Sequence, residues 1–201
     1  MYPNQNQYSI DYLNEIAPQP QKKGLSNKLF LLIVGGGLLA AIIIGIAIFS
    51  SAGAGPQTQM ETLAARLVTL QKIATKAQQN IKSNQLGGTN SSLVIFLANA
   101  NHDIAAPLLT NGVDIKNLDK NIIAAESGTA LSSQLENARL NAVFDVTYAR
   151  EMGYQIDTVI SLMKEINNKT NSRSLKAFLA KTDSNLEPIK TQMYNFNPAN
   201  D

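Results

Sequence analysis

The chain contains no cysteine. That excludes disulfides, thiol nucleophiles, cysteine metal ligands and acylation at a lipobox. A domain built from it must be held by its core alone. Histidine is nearly absent too: His102 is the only one. One histidine beside one acid, Asp103, cannot build a metal cage or a proton relay, so a solvent-facing side chain is the plain reading. No Ser-His-Asp spacing and no phosphate-binding glycine loop occurs. Charge is scarce, at 16% of residues.

One segment explains much of that scarcity. Residues 29–49 carry no charged side chain. At about 1.5 Å per residue, a helix of that length spans roughly 30 Å, the thickness of a bilayer core. The sequence therefore predicts a transmembrane helix over 29–49. Lys22, Lys23 and Lys28 precede it, whereas "SSAGAGPQTQM" brings no charge until Glu61. The positive-inside rule puts the N-terminus in the cytoplasm and residues 57–201 outside. Localisation follows as a single-pass protein of the cell membrane. The triplet Gly35, Gly36, Gly37 lies inside the span and cannot cradle a nucleotide. Gly37, Ala41 and Gly45 recur every four residues, the spacing of a small-residue packing face between membrane helices.

Residues 1–28 read as a disordered cytoplasmic tail, polar and broken by prolines. Within it, "YSIDYLNEIAP" sets Tyr8, Tyr12, Leu13 and Ile16 on one side of a short helix that Ser9 can cap. Such a cluster suits docking of a cytoplasmic partner or lying on the membrane surface. The leader resembles the N-termini of small membrane proteins from ultra-small, host-attached bacteria. "QKKGLSNKL" resembles a prepilin cleavage site after Gly24, with Leu29 where that family usually carries Glu. The small residues of "AGAG" resemble a signal-peptidase site, but the apolar run exceeds the usual length of a signal.

Residues 50–56 form a short tether, and residues 57–201 read as helix. The first helix is expected over 57–83, with Met60, Leu63, Leu67, Leu70, Ala74, Ala77 and Ile81 stepping 3 and 4 along one seam. Gly87 and Gly88 are expected in a turn. A second helix then starts near Asn90 to Ser92 and reaches Leu109. A third is expected unbroken over 129–168 and a fourth over 174–194. The fold class is all-α, an antiparallel four-helix bundle beyond the membrane. "SLVIFLA" at 92–98 matches "SLKAFLA" at 174–180, and Pro107 and Pro188 follow. This points to two related helical hairpins. The basic and acidic residues nearly balance after Pro56, because Lys22, Lys23 and Lys28 lie before it, as do Asp11 and Glu15. No basic stripe appears, so nucleic acid is not an expected partner.

"FDVTYAREMGYQID", residues 144–157, is the richest in polar groups. Phe144, Asp145, Tyr148 and Met152, together with "LKAFLAKT" at 175–182, resemble a ferritin-like four-helix family of secreted bacterial proteins of unknown function. The resemblance implies histidines that this chain lacks: Ile156 and Ile189 stand at or near their places. Isoleucine offers no lone pair, and no Glu-x-x-His pair of a diiron site exists. We therefore expect no catalytic residue, no metal and no cofactor. Asp145 is the exception, an acid at a seam position. It is expected to be a buried polar tie with a Lys, Arg or hydroxyl partner. A ligand or proton role is the alternative. Glu151 and Asp157 are expected in solvent, and Arg150 beside the seam. The function these features favour is a non-catalytic, single-pass envelope protein that binds an unidentified envelope protein or its own copies. The alternatives are a pilin-like or secretion-assembly subunit processed after Gly24, and a ferritin-like metal or redox protein.

Overall fold

The computed structural model describes residues 55–200. The expected membrane helix over 29–49, its packing face Gly37, Ala41 and Gly45, and the tail residues Tyr8, Tyr12, Leu13 and Ile16 lie outside the described residues. Within 55–200 the chain is mostly helical and contains no strand. The helices are α1 (Pro56–Ala77), α2 (Asn84–Asp103), α3 (Ala105–Leu109), α4 (Lys120–Ala125), α5 (Thr129–Leu140), α6 (Phe144–Lys169) and α7 (Arg173–Tyr194), followed by a 3-10 turn (Pro198–Asn200).

Helix α1 opens with proline at its first turn, where the missing N–H costs nothing. It packs on α2 and on α6, while α7 packs on α2 and on α6. Each of these neighbours runs antiparallel. Asn90 reaches Ala74 and Asn101 reaches Leu67 across α1 and α2, whereas Gln59 meets Glu165 across α1 and α6. Asp103 meets Lys181, and Thr89 meets Gln192, across α2 and α7. The expected seams form the core. Leu63, Leu67, Leu70, Leu93, Leu97, Met152, Ile156, Val159, Leu175, Leu179 and Leu186 are all buried in one continuous cluster.

Three boundaries differ from the expectations. Gly87 and Gly88 are not in a turn. Helix α2 starts six residues earlier than expected, with Ser83 as N-cap accepting from the Leu86 N–H. The cap decides, because it satisfies an end donor. Two glycines weaken a helix but do not end one that its tertiary contacts hold. Next, the expected third helix is two helices. The Val143 N–H donates to the Ala138 carbonyl and the Ala142 N–H to that of Arg139. These are the two bonds of a Schellman stop, and Ala142 takes the left-handed position at φ 58°. The same pair of bonds, from Val113 and Gly112, ends α3, this time with glycine at φ 81°. Finally, the α1 helix stops at Ala77, six residues before the expected end.

The two copies of the repeated heptapeptide lie on α2 and α7, which pack against each other. Their prolines act differently. Pro107 follows the break at Ile104, whereas Pro188 sits inside α7. By length and composition alone, the stretch Asn84–Leu109 is long and apolar enough to cross a membrane. Its residues Leu86, Leu93 and Leu97 are core residues of the domain.

Candidate functional site

Asp145 stands in the first turn of α6 and is only partly buried. Its carboxylate accepts from the backbone N–H of Ser83 at 2.8 Å and of Lys82 at 3.1 and 3.2 Å. Its partners are thus main-chain donors of the α1–α2 connection, rather than the Lys, Arg or hydroxyl expected. The carboxylate also sits where a helix N-terminus favours negative charge. The bond links the start of α6 to the N-cap residue of α2 and fixes where the two meet.

One turn further on lies a pair that sequence patterning did not single out. Tyr148 is fully buried, and its ring stacks on Phe144 with centroids 5.7 Å apart. Its hydroxyl donates a hydrogen bond to the Asn90 carboxamide oxygen. The Asn90 amide in turn donates to the Ala74 carbonyl at 3.0 Å. A polar chain therefore crosses the core from α6 through α2 to α1. Burial pushes the Tyr148 phenol well above its ordinary value, so the group is held neutral and suited to donating a hydrogen bond. Neither residue is charged, and the pattern signal for Asn90 is only a polar residue one helical turn before Leu93 and Val94.

Ile156 and Ile189 are 0% and 3% exposed. Both side chains are part of the hydrocarbon core. Among the described residues, no three His, Asp or Glu side chains come together in a way that could hold a metal ion.

The remaining acids divide into two kinds. Glu151, expected in solvent, is 5% exposed. It accepts from Gln134 of α5 at 2.9 Å and from Arg150 at 2.8 Å. The reason is that α5 packs along α6 and widens its buried face beyond a two-residue seam. Arg150 itself is more than half exposed. Asp157 is half exposed and pairs with Lys190 at 3.3 Å. Lys190 also pairs with Glu187, which holds that carboxyl below its usual range. Surface pairs of this kind are worth about 0–1 kcal/mol each. His102 is 90% exposed and lies against Asp103. Asp103 takes a second contact from Lys181.

Patterning also missed a buried ion pair. Arg66, 3% exposed, forks onto Glu126 with Nε to Oε2 at 2.7 Å and Nη2 to Oε1 at 2.6 Å. A cleft of about 260 Å³ opens at the start of α1, lined among others by Gln57, Gln59, Asn111, Lys169 and Asn171. Its amides and ammonium are already engaged in part. Gln59 donates to Glu165 and accepts from Lys169.

Chemically, this set of groups holds helices in register. The acid at the α6 start binds backbone, the buried phenol is neutral, and the buried charges are paired. The class of protein that fold and site define is an all-α helical protein. No protein-family model, curated protein or solved structure matches the chain.

Proposed function

We propose that the protein is a non-catalytic, single-pass membrane protein of the cell envelope. Its antiparallel four-helix bundle stands outside the membrane and serves protein binding or self-assembly. The observation that carries this reading is the filled interior. Ile156 and Ile189, at or near the places where the ferritin-like resemblance implies imidazoles, are buried, and the Tyr148 hydroxyl and the Asn90 amide both find partners inside the core. An interior so closed leaves the outer surface as the working part of the domain. The charge-free run at 29–49, followed by a six-residue link to Pro56, supports attachment close to the bilayer.

Carbonate extraction and protease protection of intact cells test the anchoring. The chain is expected to stay with the membrane and its bundle to be digested from outside. Mass spectrometry of the mature N-terminus is expected to find the tail intact. A new start at Leu25 would replace this reading with the pilin-like one. In-cell crosslinking then tests binding: a bundle that crosslinks to neither an envelope protein nor itself refutes the role.

A further inference from the structure

We infer that residues 119–127 form a strap that opens as a unit while the helices beneath stay folded, with the Arg66–Glu126 pair as its latch. Helix α4, the centre of this segment, contributes no buried residue, and Ile123 is half exposed. Apolar attachment lies on either side of it instead. Ile115 and Leu118 pack on the core before the strap, and Leu131 belongs to the core after it.

What holds the strap is polar. Beyond the ion pair, Thr69 donates to the Glu126 carbonyl at 2.6 Å, and the Asp119 N–H donates to Glu61 at 3.1 Å. Gly128, left-handed at φ 67°, turns the chain out of the strap. A Cβ there would stand 2.6 Å from the Thr69 methyl, so the glycine lets strap and α1 approach. A segment held by a few polar bonds, without buried hydrocarbon, belongs to the low-stability end of a fold.

The latch itself is finely poised. Arg66 is almost fully enclosed, yet its Nη1 has no hydrogen-bond partner among the described residues. Enclosing a charged pair costs solvation, which the two-bonded fork offsets only while both partners are in place, and an unsatisfied N–H adds to that cost. Opening the strap gives the guanidinium back to water. Removing its partner should therefore strain the closed strap rather than the helices. The strap supplies the counter-charge, and its departure supplies the hydration.

Hydrogen–deuterium exchange on the detergent-solubilised full chain tests this. In the wild type, the Ile123 and Glu126 amides are expected to exchange at least about tenfold faster than those in the middle of α6. Glu126→Gln is expected to speed strap exchange by about a hundredfold, leaving α6 and α7 unchanged. Arg66→Met leaves the enclosed Glu126 carboxylate without its counter-charge, so it should also loosen the strap and leave the same helices protected. Three results would overturn the inference. These are strap amides as slow as α6 in the wild type, acceleration of all helices together or loss of folding in Glu126→Gln, and an unchanged strap in Arg66→Met.

Discussion

Replacing Tyr148 by Phe removes one hydroxyl from the centre of the domain and leaves the Asn90 carboxamide oxygen facing a ring. That oxygen is fully enclosed, so water does not replace the lost donor. Leaving a buried acceptor unpaired costs about 1–3 kcal/mol. Asn90→Ala is worse. It strands the phenol, breaks the bond to the Ala74 carbonyl and leaves a small void, for about 2–4 kcal/mol together. The double variant strands neither partner of the Tyr148–Asn90 bond. Its cost should fall short of the summed singles by about 1–2 kcal/mol, the coupling between contacting groups. Urea unfolding of the four proteins, followed by far-ultraviolet circular dichroism, measures the cycle. Additivity within about 0.5 kcal/mol would refute the argument, because it would mean that the two side chains do not depend on each other.

The same tyrosine predicts an alkaline limit. In the unfolded chain its phenol titrates near 10.0, and burial raises it in the fold. The unfolded state thus loses its proton first. The contribution is fully present below pH 10 and declines above it by about 1.4 kcal/mol per pH unit. Unfolding free energies measured from pH 9 to 11.5 should fall more steeply in the wild type than in Tyr148→Phe. Ala142→Gly should stabilise the fold by about 1 kcal/mol, since glycine adopts the left-handed stop between α5 and α6 without a Cβ penalty; a lowered melting midpoint would contradict that stop. Gly88→Ala should stabilise by about 0.5–1 kcal/mol, because the position is helical and exposed with nothing near its Cβ. If residue 88 were instead in a glycine turn, the same change would destabilise, and thermal melting distinguishes the two.

Much of the helical layout was legible because its signal is periodic. Leu175, Leu179, Thr182, Leu186, Ile189 and Met193 step 3 and 4 along α7, and all are buried as expected. The α1 seam behaves the same way from Met60 to Ala77. What was illegible is what periodicity does not encode. The α5–α6 corner is stopped by an alanine in a glycine conformation, so no breaker residue marks it. The α2 start is set by Ser83, whose capping is hidden behind two glycines that read as a turn. Glu151 looked solvated because the seam rule counts one packing face, and α5 supplies a second.

By itself, the sequence determined an all-α domain, most of the apolar residues on the core-facing seams and the lack of thiols. These follow from local spacing and side-chain composition, which need no knowledge of neighbours. Only the tertiary structure decided the partners of the polar residues. Asp145 binds the Lys82 and Ser83 backbone, Tyr148 binds Asn90, and Arg66 binds Glu126. Each of these bonds joins residues 58 or more positions apart. The free energy of a buried polar group is set by which distant donor or acceptor the fold brings to it.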